Sequence, residues 1–312
     1  MLKKLNVTAP PLVKGLEEAT FDGLVKYIKS GHATNTVFLT GAGTSVASGI
    51  PDFRTPKIGL YANLDKYKLP YPEAVFDIEF FDTNPGPFFD VCRNILPGTF
   101  KPSPAHYLPV LFDKHKLLTR LYTQNIDSLD ISAGLPLDKI VEAHGSFTYL
   151  TCRKCGSKFE FADYKEEFQT GKVVHCRECK EGVIKPDVVF YGEDLPQRFH
   201  HLSENDFSTA NLLIIMGTSL TVSPCCMLPG YCPPNCVRVL INNEPAGKCP
   251  EAIKVDKNGV GHNKYEKEEP HLLTYNCETN TRDIFLKGDL QEICEKLINA
   301  LGWNNEYLKL KK

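Results

Sequence analysis

Four cysteines carry the clearest chemistry in this chain. Cys152 and Cys155 form one C-x2-C pair, Cys176 and Cys179 form a second, and twenty residues separate the pairs. Thiolates at that spacing fill a tetrahedral shell around one zinc ion and leave no open position, so the expected metal is structural. A ribbon that binds nucleic acid is the alternative, but it would need a basic or aromatic surface that the sequence does not supply. Cys225, Cys226, Cys232 and Cys236 crowd a proline-rich stretch without paired spacing, and no second metal is expected there. Cys92, Cys249, Cys277 and Cys294 read as small buried apolar residues. Gly41-Ala42-Gly43-Thr44-Ser45 offers a tight turn, either for a pyrophosphate at a helix N-terminus or as a plain strand-to-helix connection. The third glycine of a dinucleotide fingerprint is missing, because Val46 stands there and the next glycine is Gly49; this disfavours an ordinary dehydrogenase. Pro51 and Pro56 keep the following Asp52-Phe53-Arg54 segment from continuing a helix. Arg54 beside Phe53 suits a loop over a phosphate-bearing ligand, or an ordinary surface turn. His144, in Val-Glu-Ala-His-Gly, is either a structural histidine or a general base of near-neutral pKa.

These residues need elements to hold them. Five short β-rich runs, Thr36–Thr40, Leu117–Thr123, Asp187–Tyr191, Leu212–Met216 and Val237–Ile241, read as buried strands, with helical stretches between several of them. That alternation predicts an α/β fold with a parallel sheet covered on both faces. Each run is followed by a polar or glycine-bearing motif: Gly41 to Ser45, Gln124-Asn125-Ile126-Asp127, Gly192-Glu193, Gly217-Thr218-Ser219 and Asn242-Asn243-Glu244. Ligands bind outside the carboxyl ends of such strands, so the five motifs predict one continuous site. Leu290, Ile293, Cys294, Leu297, Ile298 and Leu301 recur at helical spacing, with Asp289 as the cap and Gly302 as the stop. An earlier helix over Phe21 to Lys29 ends at Gly31. Lys254–Pro270 reads as an exposed loop, and residues after Trp303 as a solvated tail.

Composition bounds the function. The 312 residues hold 42% hydrophobic and 24% charged side chains, the balance of an ordinary globular chain. Thirty-six basic against 38 acidic residues give a net charge of −2, so no global field attracts nucleic acid or an anionic membrane. No apolar run approaches the ~18 residues of a membrane span, and the basic start of the chain lacks the apolar core of a signal peptide. The expected compartment is the cytoplasm, the nucleus or both, and oligomeric state is left open.

The ordered series GAGTSVASGIPDFRTP, TQNID, EAHG, CRKC…CREC, KPDVVFYGE and MGTSL resembles the signature of the sirtuins, NAD-dependent protein-lysine deacylases. The likeness runs from about Thr20 to Trp303, and GLYANLDKYKLPYPEA is similar to the eukaryotic branch that contains cytosolic tubulin-type deacetylases. It implies a Rossmann-like NAD-binding domain (20–56, 96–148 and 185–303) with a small domain inserted, helical over 57–95 and a zinc ribbon over 149–184. Residues 1–19 would be a flexible lead-in and 304–312 a tail. The implied reaction transfers the acyl group from lysine to ADP-ribose and releases nicotinamide. The resemblance makes His144 the base that activates a ribose hydroxyl, with Asn125 beside it in the catalytic pocket. It implies that Phe53 shields the reacting carbon, and that Arg54 and Gln124 orient ribose and phosphates. Asn125 and Asp127 would hold the nicotinamide carboxamide, although Asp127 also suits a helix cap. Gly41, Ala42, Gly43, Thr44, Ser45, Val46, Asp52, Tyr61, Ile126, Gly217, Thr218, Ser219, Asn242, Asn243, Glu244 and Leu290 complete the implied NAD contacts. Val189, Phe190, Gly192, Glu193, Leu220 and Val222 would take an acyl-lysine peptide of a protein such as a histone or tubulin as an added strand. Pro224-Cys225 departs from the Pro-Phe common in the family. Long-chain deacylation or mono-ADP-ribosylation on the same fold is the alternative, and an idle NAD sensor a more remote one.

Overall fold

A computed structural model describes residues 10–51, 65–247 and 272–312. In chain order its strands are β1 (Thr36–Thr40), β2 (Leu118–Thr123), β3 (Ile140–Glu142), β4 (Gly145–Cys152), β5 (Lys158–Glu160), β6 (Ile184–Val188), β7 (Leu212–Met216), β8 (Val237–Asn242) and β9 (Asp283–Lys287). Six of them form a sheet in the order β3-β2-β1-β7-β8-β9, and three form a second sheet in the order β5-β4-β6. β2 runs parallel to β3, as β7 does to β8 and β8 to β9, and the large sheet is flanked by helices in the Rossmann-like manner. The sequence reason lies in the central runs: Val37, Phe38 and Leu39, like Leu212 to Met216, have no exposed surface. A strand buried on both faces reads as a continuous apolar run rather than an alternating one.

The chain divides into two compact units. One comprises residues up to Leu39, Leu111–Arg120 and Ser203 onward. Its first helix, Phe21–Lys29, starts at Thr20, whose hydroxyl accepts the Gly23 amide at 3.1 Å. The helix Leu290–Leu301 begins where Asp289 accepts the amides of Gln291 (2.9 Å) and Glu292 (3.0 Å), and ends at Gly302 with φ +84°. Leu290, Cys294, Leu297, Ile298 and Leu301 face the core as expected, while Ile293 is half-buried. Arg238 and Asp283 form a bidentate pair with both bonds at 2.7 Å, each side chain nearly fully enclosed. The solvated tail expected after Trp303 is instead a helix, Asn304–Leu310. Tyr307 anchors it, buried and donating to Glu295 at 2.7 Å, and Trp303 stacks on His115 at 4.3 Å.

The other unit comprises Thr40–Val110 and Leu121–Leu202. An aromatic core that includes Phe76, Phe81, Phe88, Phe89, Phe168 and Phe190 joins the helices Ile78–Thr83, Gly86–Cys92 and Phe161–Gln169 to the three-stranded sheet. Here one expectation is corrected. The run Asp187–Tyr191 is not a strand of the large sheet; the strand is Ile184–Val188, and it pairs antiparallel with β4. A short apolar run does not say which sheet it joins, and β4, leaving His144, offers the edge that captures it. Two strands of the large sheet and two of the small one, β4 and β5, went unpredicted; in the large sheet, β3 has only three residues and β9 sets an apolar triplet between charges. β3 and β9 lie at the edges of the large sheet, where less burial leaves a weaker pattern.

Candidate active site

His144 sits between the end of β3 and the start of β4. Two constraints aim it. The Ala143 amide donates to the Thr123 carbonyl at 2.8 Å, tying the turn to the end of β2. Gly145 has φ +68°, and a Cβ there would lie 2.0 Å from the Asp187 carbonyl oxygen, so only glycine permits the approach of β6. The Nδ1 of His144 lies 2.9 Å from the Gln124 carbonyl oxygen. A carbonyl only accepts, so Nδ1 carries the proton and Nε2 is the basic nitrogen. Burial holds the imidazole below its ordinary pKa, and the Gln124 carbonyl opposes that shift. The site therefore keeps a neutral base with its tautomer fixed.

Beside this base the segment after β2 folds onto the glycine turn. The Gln124 amide donates to the Thr40 carbonyl at 2.9 Å. The Asn125 side-chain NH₂ donates to Thr44 Oγ1 at 2.9 Å, and lies 3.2 Å from both the Gly41 carbonyl and Ser45 Oγ. Ser45 Oγ donates to Asp127 Oδ2 at 2.6 Å, and Asp127 Oδ1 accepts the Leu129 amide at 2.8 Å. Asp127, one residue before the N-cap Ser128, thus holds the first amide of the short helix Leu129–Ser132 and also faces the glycine turn. Ile126 turns away into the aromatic core. Asp130 is buried, and its carboxyl is pushed well up by desolvation, reinforced by Asp127 and Glu142. Burial raises Glu142 as well.

The glycine turn differs from expectation. Among the described residues no α-helix follows it directly; Ala42–Thr44 and Val46–Ser48 are two 3-10 turns that end at Gly49, φ +96°. The missing third glycine explains this, since Val46, nearly half exposed, cannot pack as closely as a fingerprint glycine. His106 went unnoticed in the sequence. It is 1% exposed, with Nε2 at 3.3 Å from Ser45 Oγ and Nδ1 accepting the Ser103 amide at 3.0 Å. Its only signal was a histidine opening an otherwise apolar helical run, Tyr107 to Phe112.

The loop Val189–Glu193 leaves β6 close to the base, since the Val189 amide donates to the His144 carbonyl at 2.8 Å. Phe190 is turned inward, 5.0 Å from Phe88 and under the Lys185 ammonium at 4.2 Å. Glu193 staples the loop from within: it pairs with buried Lys185 at 2.7 Å and accepts the Phe190 amide at 2.8 Å. Tyr191 exchanges backbone bonds with Phe76 and Ile78. Among the described residues, the carbonyls of Val189, Gly192 and Glu193 and the Gly192 amide make no backbone–backbone bond.

In the other unit, Gly217 has φ +60° and its amide donates to the Ile241 carbonyl at 3.3 Å. Thr218 Oγ1 accepts the Leu220 amide at 3.2 Å, and Ser219 bonds Thr221 at 2.8 Å. Asn242 bridges the carbonyls of Thr218 (3.4 Å) and Glu244 (3.0 Å), knitting the ends of β7 and β8 together. Asn243 and Glu244 are exposed, Val222 is half-buried, and Leu290 buries its side chain as the first residue of its helix. Asp52, Phe53, Arg54 and Tyr61 lie outside the described residues, as do Cys249 and the Lys254–Pro270 loop.

The cysteine quartet meets the test for zinc. The Sγ atoms of Cys152, Cys155, Cys176 and Cys179 lie within 4.8 Å of one another, with contacts of 3.7 Å (Cys152 to Cys179) and 3.8 Å (Cys155 to Cys176). Tetrahedral ligation at a Zn–S distance of about 2.3 Å requires sulfurs roughly 3.8 Å apart. The Gly182 amide donates to Cys179 Sγ at 3.3 Å, and a Cβ at Gly182 would intrude to 2.3 Å from Cys152 Sγ. No other group of three or more potential ligands clusters among the described residues.

A Rossmann-like sheet, a four-cysteine cluster fit for one zinc ion and a histidine of fixed tautomer define an α/β protein with a separate metal-binding module. A Sir2 family model matches residues 41–224. The chain is 42% identical, over 95% of its length, to the NAD-dependent deacetylase sir2A of Dictyostelium discoideum, and spans 54% of that protein. It is 38% identical over 96% of its length to the NAD-dependent protein deacetylase sirtuin-2 of Danio rerio, spanning 76% of that chain. With the NAD-dependent protein deacetylase sirtuin-3 of Mus musculus the identity is 39% over 92%, spanning 78%. The chain belongs to the Sir2 family. No helix among the described residues is long and apolar enough to cross a membrane.

Proposed function

We propose that this protein is an NAD-dependent protein-lysine deacetylase. The observation that carries the reading is the locked imidazole of His144, whose protonated Nδ1 on the Gln124 carbonyl leaves Nε2 to take a proton. NAD, when bound, supplies an electrophilic ribose carbon and nicotinamide as its leaving group. His144 then accepts the proton of a ribose hydroxyl. Asp127 accepts from the nicotinamide amide, and Asn125 with Ser45 fixes the floor of that pocket. Gly41, Ala42, Gly43, Thr44 and Gln124 take the adjoining ribose and phosphates, aided by Asp52, Phe53, Arg54 and Tyr61. Thr218 and Ser219 serve the far phosphate and ribose, Asn242, Asn243 and Glu244 the adenosine, and Leu290 a backbone contact. The donor set suits that cofactor: an acidic acceptor, Asp127, stands beside a glycine turn, and hydroxyls and amides stand at the ends of β7 and β8.

The acyl-lysine peptide adds as a strand to Val189–Glu193 and to Gly217–Val222, with Val189 beside the acyl chain. The Val189 carbonyl and Gly192 amide support this reading, because among the described residues they make no backbone–backbone bond. Histones and tubulin are the proposed substrates, and the cytoplasm or nucleus the proposed compartment. The shared aromatic core of residues 74–96 with the zinc strands supports a small domain made of 57–95 and 149–184 inserted in the NAD-binding part.

Incubating the protein with NAD and an acetyl-lysine histone or tubulin peptide tests the function. Nicotinamide and deacetylated peptide are expected in equal amounts, with no NADH absorbance. Absence of peptide-dependent nicotinamide release overturns the proposal, and peptides of increasing acyl length then rank the preferred substrate.

A further inference from the structure

Ser45 is held by more partners than a phosphate-binding turn requires. Its hydroxyl is buried and lies among His106 Nε2 at 3.3 Å, Asn125 Nδ2 at 3.2 Å and Asp127 Oδ2 at 2.6 Å. The direction of each bond can be deduced. The Ser103 backbone N–H is a donor only, and it points at His106 Nδ1 at 3.0 Å, so Nδ1 is an acceptor and bears no proton. The Ser103 hydroxyl, 2.9 Å from the same nitrogen, has its own acceptor in the Thr44 carbonyl at 2.9 Å. The proton of a neutral imidazole then sits on Nε2 and points at Ser45 Oγ. Asn125 also donates there. With two donors directed at its lone pairs, the hydroxyl turns its one hydrogen to Asp127, the shortest bond of the group. The other Asp127 oxygen is held by the Leu129 amide. The carboxylate is thereby fixed at both oxygens by a chain that starts at the Ser103 backbone.

We propose that His106 is a positioning residue of the active site, whose Nε2–H aims the Ser45 hydroxyl at Asp127 and so sets the carboxylate that receives nicotinamide. The inference rests on the functional reading above and extends it to a residue that touches no ligand. Neutrality of the ring is part of the device, since a second proton would have to sit on Nδ1 against the Ser103 N–H. Burial supports it by pushing the imidazole down to about 4, with the Asp127 charge opposing. Asp127 interacts in turn with Asp130 and Glu142, whose raised carboxyls limit further negative charge in the pocket.

Two conservative variants separate this role from simple scaffolding. In His106→Gln the amide nitrogen falls near the place of Nε2 and keeps the donor to Ser45, but the Ser103 amide loses its acceptor. In His106→Asn the amide oxygen falls near Nδ1 and keeps Ser103, but the donor to Ser45 is lost. The expected result is a nicotinamide inhibition constant within about threefold of wild type for His106→Gln, and raised roughly tenfold or more for His106→Asn, at matched melting temperature. A scaffold would give the reverse order, and that order overturns the proposal. Nitrogen NMR of the imidazoles in the wild-type, zinc-loaded protein is an independent readout. It should show a protonated Nε2, a bare Nδ1 and no titration between pH 5.5 and 8. A protonated Nδ1, or titration within that range, overturns the chain whatever the activity. Wild-type protein that releases no nicotinamide overturns the functional reading instead, and the NMR spectrum still decides the hydrogen bonds.

Discussion

At the scale of single residues, His144 and Asp127 carry separate tests. Burial lowers the pKa of His144, so the neutral imidazole that its proposed role as base requires persists to lower pH than for a free imidazole. The deacetylation rate is therefore expected to rise with pH through a midpoint below 6.5 and to stay flat above it. His144→Ala should remove that limb and nearly all turnover while leaving NAD and peptide binding intact. A midpoint at or above 6.5 in kcat would refute the assignment. The same shift has a stability consequence. Since the folded pKa values of His144 and His106 both lie below the unfolded value, their contribution is complete above pH 6.5 and is lost as pH falls below it. For Asp127 the test is Asp127→Asn. One oxygen remains to accept the Leu129 amide, so the melting temperature should hold, while nicotinamide inhibition weakens and turnover slows. Loss of a charge-assisted bond worth about 1.5–3 kcal/mol corresponds to roughly 10- to 150-fold if it is felt fully in the transition state. Unchanged inhibition and rate would leave Asp127 as a cap alone.

At the scale of elements, the junction between β3 and β4 is the most demanding. Gly145→Ala adds a Cβ at 2.0 Å from the Asp187 carbonyl in addition to the strain of φ +68°. Gly134→Ala is the matched control, because its φ is +101° and nothing lies within 4 Å of the added atom. The control should cost about 1–2 kcal/mol from backbone strain alone, and Gly145→Ala clearly more. Activity should fall further than stability, since β6 and the Val189 loop are both tied to the turn that carries His144. Equal melting temperatures for the two variants would contradict the packing described. The terminal helix offers a gentler case: Asp289→Ala removes an N-cap to two amides and should cost about 1 kcal/mol by denaturant titration.

At the scale of the whole molecule, the metal site and the histidine draw on one stretch of chain. β4 begins beside His144 and ends at Cys152, so disorder in the zinc module reaches the base within eight residues. Chelation, or Cys176→Ala, is expected to release zinc, open residues 149–184 to protease and abolish activity. A zinc-free Cys176→Ala protein that stayed folded and active would remove the structural role of the metal. The chain's one tryptophan, Trp303, packs on His115 and Phe112 in the other unit, and its fluorescence should change little on chelation. What the sequence by itself determined follows from local chemistry. Thiolate spacing specified the metal, continuous apolar runs specified the central strands, and an Asp cap with a Gly stop bounded the long helix. The ordered motifs were sufficient to indicate the family. Tertiary structure alone decided the rest. Asp187–Tyr191 carries no mark saying which sheet its neighbours join, and the choice fell to the edge offered by β4. The tail is held as a helix by Tyr307 on Glu295 of the preceding helix and by Trp303 on Phe112 and His115, distant in the chain. Which nitrogen of His144 is basic depends on a carbonyl twenty residues earlier, and the orientation of Ser45 depends on His106, sixty-one residues later. Hydrogen bonds of that span have no periodicity in sequence, because they are set by which strands and turns end side by side.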